Sequence, residues 1–211
     1  MTDPVNSTIS PSTRHDSPKP AAQSGSRMGS IRYESRLVGI LLLVHASLLA
    51  WMSAQHAPTT DEPGYLVSGL SHLELGRFEL YRVNPPLVRT VAAVPVALAE
   101  PRTDWRKIDG RPGARADFTI GREFVIANGG RSFWLFTLGR WACIPFSLLG
   151  GWVCYRWARD LYGPGPGLLA LALWCTCPNV LGHAQLLTPD VGAAALAALA
   201  CYAFWRWLRR P

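Results

Sequence analysis

Two adjacent carboxylates, Asp61 and Glu62, stand just beyond the first long apolar run, between Thr59-Thr60 and Pro63-Gly64. A carboxylate there suits a general base that takes a proton from an acceptor hydroxyl. The same residues suit the start of a helix, where acids and a first-turn proline are favoured. Capping needs one acid rather than two, and the two roles are compatible. A third acid, Asp190, follows Thr188-Pro189 at the head of a late apolar run and admits the same pair of readings. Arg89 and Arg140 each interrupt an apolar segment. An arginine in that setting either snorkels to the interface or meets an anion: an acid of this chain, or a phosphate whose leaving charge it stabilises. His183 precedes Asp190 closely enough to share its site, although a lone interfacial histidine is more often structural. Tyr65 lies a turn beyond Glu62, and Asn84 before Pro85 reads as a turn residue. The sequence carries no phosphate-binding glycine loop, no nucleophile elbow and no metal-ligand spacing. No metal residues are therefore assigned, and the cofactor stays open, a divalent cation included.

The elements that hold these residues follow from composition. Apolar residues make up 49% and charged residues 17% of the 211 residues, and soluble domains average about 25% charged. The apolar residues gather in runs, the pattern of membrane helices. The net charge of +7 sits at the ends of those runs rather than in one stripe, which favours membrane topology over nucleic acid as its cause. The five cysteines fall inside apolar segments without C-x-x-C spacing and read as small packing residues.

Residues 1–30, rich in Ser, Pro and Thr, are expected to be a disordered cytoplasmic tail. Spans are expected at 37–54, 133–155, 165–181 and 191–208, with an outer loop over 55–132. Residues 62–76 alternate apolar and polar positions at helical spacing and predict an amphipathic helix on the membrane surface. Residues 87–99 form an apolar run of about 13, more often interfacial than spanning. If that run does not cross, the basic ends at Arg156/Arg159 and Arg206/Arg209/Arg210 share the cytoplasmic side with the basic N-terminal flank, as the positive-inside rule prefers. The expected fold is an all-α membrane protein. It has about four transmembrane helices and two juxtamembrane amphipathic helices in the first outer loop, and the N-terminus lies in the cytoplasm. Asp61, Glu62, His72, Arg89, His183 and Asp190 then gather at the outer end.

Several stretches together resemble a known family. Asp61-Glu62 after the first span, with Tyr65 and the surface helix, resembles the first outer loop of lipid-linked-sugar glycosyltransferases of the GT-C fold. The nearest branch is the protein O-mannosyltransferase and lipid A aminoarabinose transferase group. Asn84-Pro85-Pro86-Leu87-Val88-Arg89 is similar to that family's His-Pro-Pro-Leu-Gly-Lys element, departing at Asn84, Val88 and Arg89. Leu138 to Pro145, carrying Arg140, resembles its Arg…Pro helix. Arg156 to Gly163 resembles a short cytoplasmic turn, and Cys177-Pro178-Asn179 through Thr188-Pro189-Asp190 resembles the approach to its second acid. The resemblance implies a glycosyltransferase of the inner (plasma) membrane. Its donor is a sugar on a polyprenyl phosphate in the bilayer, and its acceptor is unspecified. Asp61 would be the base, Glu62 and Asp190 would assist, and Arg89 and Arg140 would contact the donor phosphate. Family members carry more spans, so the expectation is an N-terminal GT-C-like segment, 31–211, completed by further sequence or a second chain. A non-catalytic membrane scaffold is the alternative.

Overall fold

The computed structural model describes residues 24–108 and 115–209, with side chains from Arg32 onward. Among the described residues it contains helices and no strands. The order is α1 (Ser24–Gln55), α2 (Glu62–Leu75), α3 (Leu87–Leu98), a 3-10 turn (Trp105–Lys107), α4 (Ala116–Asn128), α5 (Arg131–Tyr162), α6 (Pro164–Thr176), α7 (Pro178–Ala184) and α8 (Asp190–Leu208). α5 is the central post, packed on α1, α3, α6 and α8.

Three helices are long and apolar enough to cross a membrane: Arg32–Gln55 of α1, α5 and α8. α6 and α7 make a fourth if the bent pair counts as one span. Ile40, Leu43, Leu48 and Trp51 on α1, and Phe204, Trp207 and Leu208 on α8, are exposed, which suits a hydrocarbon surround.

Four expectations are corrected. First, α1 begins at Ser24, inside the stretch expected to be disordered. Once the apolar segment forms helix, extending it backwards is cheap, and no proline stops it before Ser24. Residues 1–23 lie outside the described residues. Second, the span expected over 165–181 is broken: α6 and α7 meet at 56°. Pro178 cannot donate to the preceding turn, and it holds Cys177 in an extended conformation at φ −62, ψ 121. Third, the stretch 55–132 expected as an outer loop carries three helices, not two, among the described residues, because α4 was not foreseen.

Fourth, α2 does not lie open on a surface. It packs against both α3 and α4 and is buried over most of its length from Glu62 to His72. Two glycines allow this. A Cβ on Gly69 would collide with the Arg89 carbonyl of α3, and one on Gly121 of α4 would lie 2.7 Å from the Pro63 carbonyl carbon. Leu66, Leu70, Ala92, Val96, Ile120, Phe124, Leu135 and Phe136 form the resulting core, joining the outer-loop layer to α5. Each large apolar side chain buried there contributes about 1.5–3 kcal/mol. The layer is thus a packed platform on the bundle end.

Candidate functional site

The two adjacent acids have different fates. Asp61 caps α2 by position only: its side chain makes no cap hydrogen bond. Its carboxylate is exposed and makes no hydrogen bond or ion pair among the described residues. Glu62, one residue on, is fully buried. The residue therefore available to take a proton is Asp61.

Glu62 is saturated. Arg140 donates to it twice, Nε to Oε1 at 2.8 Å and Nη2 to Oε2 at 2.6 Å. The Leu187 amide donates to Oε1 at 2.9 Å. The Thr59 amide and hydroxyl donate to Oε2 at 2.7 and 3.2 Å, which holds the chain entering α2 against its first residue. Arg140 is saturated in turn. Nη1 donates to the Ser53 and His56 carbonyls at 2.8 and 2.7 Å, and Nη2 also donates to Ala57 at 3.1 Å. All five guanidinium N–H groups are used. The pair ties the end of α1, the start of α2, the middle of α5 and the loop before α8 at one point. The expected roles of Glu62 as an assisting catalytic acid and Arg140 as a phosphate contact are therefore corrected: neither has a bond left to offer.

Arg89 differs. It is only 4% exposed, so it does not snorkel. Nη2 donates to the Asn84 carbonyl, but Nε and Nη1 are buried with no hydrogen-bond partner among the described residues. Its guanidinium stacks on the Tyr81 ring, 4.8 Å from the centroid. Burial lowers its pKa, the mark of a cation short of compensation. Arg89 lines a narrow cleft with Tyr65, Asn84, Pro85, Leu187 and Pro189.

Tyr65 supplies a donor to the same cleft. Asn84 Nδ2 donates to its hydroxyl oxygen at 3.0 Å, and the Tyr81 hydroxyl lies 3.4 Å away. Burial first, then the bond with Tyr81, raise the Tyr65 pKa well above the usual range, with the Asp61 carboxylate adding to the effect. The phenol thus keeps its proton and can offer it to an acceptor. Behind Arg89, His72 Nδ1 lies 2.6 Å from Thr90 Oγ1. That hydroxyl donates to the Pro86 carbonyl at 2.8 Å, so His72 Nδ1 carries a proton. Its Nε2 is buried without a partner. Burial, and then the Arg89 charge, push the His72 pKa down to about 4, so the ring is neutral at pH 7.

Asp190 opens α8, and the His183 Nδ1 lies 3.6 Å from its Oδ2, both half-exposed. The two side chains are neighbours, as the seven-residue spacing allowed. Among the remaining neighbours of the cleft, Tyr81, Arg115 and Asp117 were not singled out from the sequence. Arg115 pairs with the buried Asp117 at 3.1 Å and stacks on Phe118, 4.7 Å from its centroid. Its pKa is raised mainly by Asp117, with smaller contributions from Tyr81 and Asp61. No local pattern marks these residues, because their meeting depends on α4 packing over α2. No group of three or more His, Cys, Asp or Glu side chains among the described residues could hold a metal.

The opposite end of α5 carries a second buried acid. Glu34 of α1 accepts the Tyr155 hydroxyl at 2.6 Å and lies 2.7 Å from Arg159 Nε. Arg140 and Arg159 are separated by roughly 28 Å along a helix rising about 1.5 Å per residue, close to the ~30 Å hydrocarbon thickness of a bilayer.

Comparison with known proteins returns no matching family, no matching curated protein and no matching solved structure.

Proposed function

We propose that the chain is a membrane glycosyltransferase segment. It moves a sugar from a polyprenyl-phosphate carrier to an acceptor hydroxyl at the outer end of the bundle, with the N-terminus in the cytoplasm. The observation that carries this reading is Arg89: a buried guanidinium with two unpartnered nitrogens, in a cleft beside a protonated tyrosine, near an exposed and unengaged aspartate. A phosphate oxygen is the natural partner for such an arginine, because charge-assisted bonds replace those its burial has removed.

In this reading Arg89 Nε and Nη1 and the Tyr65 hydroxyl hold the donor phosphate. Asp61 takes the acceptor proton as the acceptor oxygen bonds to the sugar's anomeric carbon. The carbon–oxygen bond to the phosphate breaks, and its electrons stay on the lipid phosphate, where Arg89 stabilises them. Glu62 and Arg140 hold the frame. The Leu187 amide donates to Glu62 and so fixes the loop that leads into Asp190, which with His183 borders the site and contacts acceptor or donor. The lipid tail remains in the bilayer beside the apolar helices.

The test is transfer from a polyprenyl-phosphate sugar by the chain reconstituted in lipid vesicles. Asp61→Asn is expected to lower transfer by at least about 100-fold while leaving the melting temperature unchanged. Undiminished transfer by that variant removes Asp61 from the role of base. A non-catalytic membrane scaffold is the second reading. It is favoured by the structural use of Glu62 and Arg140, and it predicts no turnover by the wild type together with retained lipid-phosphate binding.

A further inference from the structure

The end of the bundle opposite Asp61 holds a polar feature that the transfer reaction does not use. An open surface depression of about 330 Å³ is lined by Asp160 of α5 and by Trp205 and the exposed Arg206 and Arg209 of α8. Its arginines are placed by aromatic rings one helical turn earlier. Arg206 lies over Tyr202, 5.7 Å from the centroid, and Arg209 over Trp205 at 4.8 Å. Tyr202 and Trp205 stack with centroids 6.0 Å apart, and Trp157 of α5 tilts against both. The Tyr202 hydroxyl donates to Asp160 Oδ2 at 2.6 Å, and Arg156 Nη2 stands 4.0 Å from Oδ1. The acid in the lining is therefore engaged on its own side. Neither Arg206 nor Arg209 has a side-chain hydrogen bond or ion pair among the described residues.

We propose that this depression binds a phosphate group, supplied by the headgroup of an anionic phospholipid. Two guanidinium forks held on a rigid aromatic stack match phosphate oxygens in geometry and charge. They sit at the last turn of α8, where the helix dipole favours cations but leaves them free to meet an anion. The lipid source follows from what surrounds the depression. Phe204, Trp207 and Leu208 of the same helix are exposed, and tryptophan with arginine at the end of an apolar helix marks the headgroup level of a bilayer. A phosphodiester in the depression would keep its acyl chains along that apolar face. The inference rests on the bilayer reading of the helices but not on glycosyl transfer.

The test uses the full chain reconstituted in phosphatidylcholine vesicles with and without phosphatidylglycerol, then extracted and weighed by native mass spectrometry. The wild type is expected to retain phosphatidylglycerol over phosphatidylcholine. The double variant R206A/R209A should lose roughly tenfold of that retention. The variant R206K/R209K keeps the charge without the planar fork and should fall between them, so the test survives if the alanine pair folds poorly. Equal retention of both lipids by the wild type overturns the site. Wild-type retention by the lysine variant does so as well, because diffuse charge then accounts for the binding. A melting-temperature rise in inorganic phosphate as large as in phosphatidylglycerol overturns the lipid as the source. A chain that stays in the aqueous phase overturns the bilayer reading and this site with it.

Discussion

Arg140 and Arg89 are buried to nearly the same degree, 1% and 4% exposed, in opposite surroundings. Arg140 spends every N–H on one carboxylate and three carbonyls. Arg89 spends one nitrogen on one carbonyl and leaves two unpartnered. The first closes a structural joint between α1, α2, α5 and the loop before α8. The second buries a charge with no ion pair among the described residues, where Asp117 acts on it only from beyond ion-pair distance. A buried cation completed by protein holds a fold together, whereas one left incomplete is a site for something else. The adjacent acids repeat the lesson: Glu62 is consumed by the joint, and the Asp61 carboxylate is left to solvent.

The largest expected effect attacks the joint. Glu62→Gln or Arg140→Met alone leaves a buried charge or its donors unpaired and should cost about 3–5 kcal/mol in reversible unfolding, whereas the double replacement should recover most of that loss. Single variants as stable as wild type would erase the distinction between the two arginines.

The next effect concerns pH. His72 is held neutral, with a folded pKa of about 4 against 6.5 for the free side chain. Because the unfolded chain binds the proton first, this stability is fully present above about 6.5 and is lost as pH falls toward 4. The loss should approach roughly 3 kcal/mol, and His72→Gln should flatten that acid limb in melting experiments. An unchanged acid limb in the variant would mean that His72 is not buried against Arg89 in solution.

Gly69→Ala drives a methyl into the Arg89 carbonyl and should cost about 1–3 kcal/mol as α3 shifts away from α2. A neutral result would show that α2 and α3 have room to separate.

The smallest effect is on the incomplete arginine itself. Arg89→Met should leave stability unchanged or raise it by up to about 1 kcal/mol, since an uncompensated charge is exchanged for an apolar chain of similar length. A clear loss of stability would give Arg89 a structural role like that of Arg140.

The apolar runs were enough to place α1, α5 and α8, because a long stretch without charges leaves few alternatives to a buried or membrane helix. The break at Cys177-Pro178 was less legible, since proline occurs in intact membrane helices too. α4 escaped notice because its apolar positions fall among acids and arginines. Sidedness led to the expectation of Asp61, Arg89 and Asp190 at one end of the bundle, but it said nothing about the division of labour among them. Glu62 meets Arg140 from far along the chain, and only packing decides that Glu62, not Asp61, turns inward. Glu34 had a faint local sign, an acid within a basic flank, whose partners Tyr155 and Arg159 are one turn apart on α5.

The central claim is that Arg89 is an incomplete cation awaiting a phosphate. Its most direct test is the melting temperature of the full chain in neutral lipid with added farnesyl monophosphate, comparing wild type, Arg89→Met and Asp61→Asn. Ligand that binds only the folded form at about 100 times its Kd stabilises by about 2.7 kcal/mol. The wild type and Asp61→Asn should therefore melt several degrees higher with the ligand, and Arg89→Met should not respond. An equal rise in Arg89→Met would contradict the account, because the phosphate would then be held elsewhere.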